Sequence, residues 1–160
     1  MALKNTKILV AGLIVAIVFA VVWFILDKGD VDTGVVLEDR ESQCVVTTKE
    51  NEVRIHKNKR LSWVIDNRCS NKDELVTVGN FRMSQESSAT DCLQPTEGTN
   101  VVWPFQEDMN DLSKRQHKNK ISLKIKKDSD LPGSSLVYYY DICTGSSAER
   151  KSDPRLVIDE

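Results

Sequence analysis

The chain reads as an all-β sandwich carried behind one N-terminal membrane-spanning helix. Two observations predict the sandwich. About seven short segments alternate apolar and polar residues with period two, and turn-forming clusters separate them with no helical period after residue 26. A third observation predicts the helix. Ile8 to Leu26, ILVAGLIVAIVFAVVWFIL, holds no charge and no proline, and at about 1.5 Å per helical residue it is just long enough to cross a hydrocarbon core of roughly 30 Å.

Lys4 and Lys7 precede this run, whereas Asp27, Asp30 and Asp32 follow it with only Lys28 between them. The positive-inside tendency keeps residues 1–7 as a cytoplasmic stub, makes 8–26 the transmembrane helix and sends the remainder outside. A cleaved signal peptide is the competing reading, because Val18-Phe19-Ala20 has the small-residue spacing that a signal peptidase accepts. The apolar run continues beyond such a cut through Val21 to Leu26, which favours an uncleaved anchor.

Residues 27–43 are acidic, carry Gly29 and Gly34, and show only the short apolar patch Val35-Val36-Leu37. They are expected to form a tether, leaving 44–160 as one domain of ordinary size. A first short strand is expected from Cys44 to Thr48. Val53 and Ile55 then alternate with Arg54 and His56, and Leu61, Trp63 and Ile65 alternate with Ser62, Val64 and Asp66, the pattern of strands with one buried face. LVTVGNF, Leu75 to Phe81, is apolar and β-branched. A polar loop runs from Arg82 to Asn100, after which Val101, Trp103 and Phe105 alternate again. Glu107 to Lys120 is polar almost throughout; Ile121, Leu123 and Ile125 then alternate with Ser122, Lys124 and Lys126. Asp130-Leu131-Pro132-Gly133 has the proline–glycine pair of a tight turn. Leu136 to Cys143 returns as a strand in which Tyr138 and Tyr140 join Leu136 and Ile142 in the core, with Tyr139 and Val137 on the other face. Leu156 to Ile158 makes a last short strand.

Four cysteines, Cys44, Cys69, Cys92 and Cys143, all follow the apolar run. An even count in an oxidising space is most simply two disulfides, for which three pairings exist. Their spacings of 25, 23 and 51 residues match no zinc or dithiol motif, both of which bring two cysteines within a few residues. Cys69 and Cys92 lie in loops flanking one short strand, and Cys44 and Cys143 lie near opposite ends of the domain sequence. Cys69–Cys92 and Cys44–Cys143 are therefore the expected bridges.

The 22 Lys and Arg against 24 Asp and Glu give a net charge of −2, which does not favour nucleic acid. Cations nevertheless gather in two groups, Arg54, Lys57, Lys59 and Arg60, and Lys114 to Lys127, which includes Lys118, Lys120, Lys124 and Lys126. Side by side they would form a surface for an acidic protein or anionic lipid headgroups. The plainer reading is a solvated face whose lysines guard edge strands. His56 and His117, the only histidines, each stand among cations with no nucleophile implied beside them, and no GxSxG, HExxH or Walker motif occurs. Nothing in the chain supports an enzyme.

Three stretches together resemble a cupredoxin-like domain: LSWVIDNRC from Leu61 to Cys69, LVTVGNF from Leu75, and LVYYYDICTG followed by DPRLVID near the C-terminus. The resemblance implies a Greek-key sandwich, cupredoxin-like or immunoglobulin-like in kind. In copper-binding members two histidines, a cysteine and often a methionine hold the metal, the cysteine and second histidine sitting in the last loop. Cys143 matches that cysteine, but Thr144 to Ala148 supply no histidine or methionine, and no histidine stands near Leu75 to Thr77. A blue-copper centre needs both imidazole and thiolate, so no cofactor and no metal are expected.

The leading expectation is a non-catalytic interaction or accessory module, anchored in a bacterial inner membrane with its domain on the periplasmic or extracellular side. The absence of an N-x-S/T sequon accords with a bacterial setting. The alternative is a redox or electron-transfer protein that uses Cys143 or a non-standard metal site.

Overall fold

The computed structural model describes residues 29–83, 103–108, 111–131, 133–144, 147–152 and 154–160. Among the described residues ten strands form in chain order: β1 Val31–Arg40, β2 Gln43–Thr48, β3 Glu52–His56, β4 Arg60–Asn67, β5 Val76–Arg82, β6 Gln116–His117, β7 Lys120–Lys124, β8 Ser135–Thr144, β9 Ser147–Ser152 and β10 Arg155–Asp159. Among the described residues the helices are one turn, α1 Leu112–Arg115, and a 3-10 turn at Asp128–Asp130. None of these is long and apolar enough to cross a membrane; Ile8 to Leu26 lies outside the described residues.

The strands make two sheets, and the chain is all-β as its period-two patterning implies. The first sheet has the order β2-β1-β4-β7; the second has the order β3-β10-β8-β5-β6, with β9 also paired to β8. Both are mixed, since β1 runs parallel to β4 and β3 runs parallel to β10. Each sheet turns one face to a single apolar cluster. From the first sheet come Val35, Leu37, Leu61, Trp63, Ile65, Ile121 and Leu123, and from the second Val53, Ile55, Val78, Phe81, Leu136, Tyr138, Tyr140, Ile142, Leu156 and Ile158. The tyrosines alternate as expected: Tyr138 and Tyr140 are buried while Val137 and Tyr139 are half-exposed.

Trp63 sits where the sheets meet. Its ring makes edge-on contacts with Tyr140, Phe105 and Phe81 at centroid distances of 5.7, 6.2 and 6.3 Å, within the range in which aromatic quadrupoles attract. Its indole N–H donates to the Tyr140 hydroxyl at 3.2 Å, which satisfies a donor that burial would otherwise leave unpaired.

The structure corrects the expected domain boundary. Residues 31–40 are not a tether but β1, a central strand with Val35 and Leu37 fully buried. Asp32 and Glu38 disguise this strand because they stand on its outward face, while Thr33, Val35 and Leu37 turn inward. Other elements were absent from the expected set. β6, β9 and α1 fall in stretches read as loops, and Phe105 makes only an isolated bridge to Ile125. The turn before β8 has Gly133 at a φ of +79°, a conformation suited to glycine; Pro132 lies outside the described residues, as do residues 84–102, where a polar loop is expected.

Candidate functional site

Because β1 and β4 run parallel, their first residues share one end of the first sheet, and antiparallel β7 finishes there. Val31 pairs with Leu61, and Arg60 stands opposite Lys124. Beyond the ladder, the Ile125 N–H donates to the Lys59 carbonyl at 2.8 Å and the Asn58 N–H to the Lys126 carbonyl at 3.0 Å. Four of the eight expected cations, Lys59, Arg60, Lys124 and Lys126, are thereby brought together, and Lys127 follows them. Like charges opposite one another are unfavourable in a ladder. Glu107 relieves this: one carboxylate oxygen accepts from the Lys124 N–H at 2.9 Å, and the other lies 4.0 Å from the Arg60 guanidinium. Among the described residues no ion pair engages Lys124, Lys126 or Lys127.

The other four expected cations do not belong to this group. Lys57 is a correction to the expected surface: its side chain is only 5% exposed, its ammonium donates to the Gly133 carbonyl at 2.8 Å and it lies 3.2 Å from the Asp128 carboxylate. It ties the turn before β8 to the β3–β4 turn and offers nothing to a partner. Arg54 stands on β3 in the second sheet, paired with Glu52 at 2.8 Å and Asp159 at 3.6 Å. Lys120 is the first residue of β7, opposite Val64 and four residues from Lys124, and is paired with Asp32 at 3.1 Å; Lys118 lies toward the opposite end of the domain, 3.1 Å from Asp73. Sequence proximity cannot separate these, because a single change of strand or face redirects a neighbouring lysine.

At that opposite end the structure also corrects the disulfides. Cys44 is bonded to Cys69, with α-carbons 5.8 Å apart. The expected Cys69–Cys92 and Cys44–Cys143 pairings are both excluded by this bond. The cause is β1: it pairs with β2 on one side and β4 on the other, so the start of β2 and the turn after β4 close over the same end of one strand. The Arg68 N–H donates to the Leu37 carbonyl at 2.9 Å, holding Cys69 beside Cys44. Cys143 is itself disulfide-bonded, and Cys92 lies outside the described residues.

Asp39 stands opposite Cys44 on β1, and its carboxylate lies within 4.8 Å of both sulfurs. The sulfurs are bonded to each other, so they do not act as thiolate ligands. The carboxylate instead accepts the Ser70 hydroxyl at 2.6 Å and the Ser70 N–H at 2.7 Å. These bonds hold the Asp39 carboxyl below its usual pKa, the hydroxyl contributing most.

The copper set that the cupredoxin resemblance implies does not fit these residues. Cys143 stands in register with Thr77 on β5 and is committed to a disulfide, so it offers no thiolate. His117 is on β6 opposite Val76, and His56 is on β3, with its Nδ1 against the Glu160 carbonyl. The two imidazoles are thus on opposite edge strands of the second sheet. A redox role for Cys143 as a free thiol loses its basis for the same reason.

One buried polar group escaped the sequence reading. Asp141, 1% exposed, accepts from Arg82 at 2.9 Å and from the Asn80 amide at 2.5 Å. The Arg82 guanidinium also donates to the Asn80 carbonyl at 3.0 Å. The register between β5 and β8 shifts at this point, and Asn80 has a φ of +50°. A buried pair of this kind is tolerated only when hydrogen bonds satisfy it, which makes it a structural clasp. An aspartate between Tyr140 and Ile142 is its one signal in the sequence. No protein-family model matches the chain, and no curated protein matches it.

Proposed function

We propose that this chain is a single-pass protein of a bacterial inner membrane, anchored by residues 8–26, whose Greek-key, cupredoxin-like sandwich acts outside the cytoplasm as a non-catalytic interaction or accessory module. The observation that carries the reading is the Cys44–Cys69 disulfide, together with the disulfide-bonded state of Cys143. Such bonds persist in oxidising compartments and are rare in the cytosol. The charge difference across the apolar run points the same way. Chain crossings from β2 to β3, β3 to β4 and β4 to β5, each between sheets, support the Greek-key connectivity. Lys59, Arg60, Lys124 and Lys126 are the contact surface in this reading, suited by charge to an acidic protein or to anionic lipid headgroups.

A reporter fused after Glu160 tests the topology. It should be active only outside the cytoplasm, and the membrane-bound protein should retain its first residues. A soluble form beginning at Val21 would show a cleaved signal peptide instead.

A further inference from the structure

The cations at the start of β4 and the end of β7 lie at the end of the first sheet where the first described residues, Gly29 and Asp30, enter β1. Leu26 ends the apolar run, and Asp30 is already fixed to the domain: its carboxylate accepts the Arg60 N–H at 2.8 Å. Four residue steps separate the two positions, which at about 3.5 Å per extended residue span no more than about 14 Å. A headgroup layer takes up roughly 5–8 Å of that on one side of the bilayer. The first sheet therefore has little room to move off the surface.

We infer that the end of the domain carrying Lys59, Arg60, Lys124, Lys126 and Lys127 rests on anionic lipid headgroups. The inference builds on the anchored reading and adds a partner and an orientation. Carboxylates also occur at this end. Asp30 and Glu107 are engaged by the Arg60 and Lys124 amides, and Asp128, Asp130, Asp159 and Glu160 lie toward the turn before β8 and the end of β10. Cations thus dominate on the first-sheet side and acids on the second, and the domain leans onto the β4–β7 side. Juxtamembrane lysines and arginines are attracted to anionic leaflets over about a Debye length. Lys72 and Lys118, toward the other end of β4, are about 25 Å away at about 3.3 Å per strand residue and serve as internal references.

The full chain, reconstituted into vesicles of phosphatidylcholine alone or mixed with phosphatidylglycerol, would be treated with a membrane-impermeant amine-acylating reagent and mapped by peptide mass spectrometry. Labelling of Lys59, Lys124 and Lys126 should fall several-fold in the anionic vesicles and recover in high salt, while Lys72 and Lys118 stay constant. In a Lys124→Gln, Lys126→Gln chain, Lys59 should lose most of this lipid dependence. Equal labelling in both lipids, by a chain that resists alkaline extraction, would overturn the docking and leave the anchor standing. A chain released by alkaline extraction would overturn both.

Discussion

Tyr140 and Tyr138 carry a pH signature that follows from where their rings lie. Burial pushes both hydroxyls up from 10.0 to about 12, the Trp63 N–H offsetting part of the effect at Tyr140. A raised folded-state pKa means that the native state keeps a proton the unfolded chain has lost. The contribution is therefore complete below pH 10 and is lost as pH rises toward 12, at about 1.4 kcal/mol per pH unit for each tyrosine. Denaturant midpoints measured across that window should fall steeply, and Tyr140→Phe should flatten part of the slope. An unchanged slope in that variant would remove Tyr140 from the account. The alternation that buries Tyr138 and Tyr140 was legible because a strand's period is two. The burial of Lys57 was not, since its partners Gly133 and Asp128 are distant in sequence and its neighbours are ordinary surface cations. Asp141 and Arg82 were hidden likewise, because a buried ion pair is defined by two strands at once.

At the level of elements, the strand that sequence patterning failed to find is the one on which the first sheet depends. β1 places Val35 and Leu37 in the core and Val36 against its outer face, 9% exposed, and burying each such side chain contributes roughly 1.5–3 kcal/mol. Removing three of them and two ladders approaches or exceeds the 5–15 kcal/mol that typically holds a domain together. A soluble fragment beginning at residue 29 should fold cooperatively, whereas one beginning at residue 44 should show no cooperative thermal transition. A folded fragment from 44 would make β1 dispensable. Its charges masked the strand because acids can occupy an outward face at no cost. The bridges follow from the same strand. Peptide mapping of the oxidised protein should join Cys44 to Cys69, leaving Cys92 as the remaining cysteine for Cys143. Cys69→Ser should lower stability by about 3.5 kcal/mol, the chain-entropy estimate for the 25-residue separation. A fragment joining Cys69 to Cys92 would contradict the strand order. Cysteine count predicted disulfides, but pairing depends on which loops share an end, and that required β1.

For the whole molecule, the all-β class was readable from periodicity; the compartment proposed above rests on the apolar run, and the cations were readable only as two separate groups. The fold selects from those groups. It buries Lys57, pairs Arg54, Lys118 and Lys120 with acids elsewhere, and brings Lys59, Arg60, Lys124 and Lys126 to the end of the first sheet where the Asp30 carboxylate accepts the Arg60 N–H. The same geometry removes copper and thiol chemistry from the C-terminal strands, because Cys143 is held in a disulfide. The central claim, a folded domain held close outside the membrane, is tested most directly by adding protease to intact spheroplasts that express the full chain. Peptides from 44–160 should be released before lysis, while a membrane-bound fragment containing Ile8 to Leu26 remains. A domain that resists digestion until the cells are lysed, yet is digested readily afterwards, would place it in the cytoplasm and contradict the account.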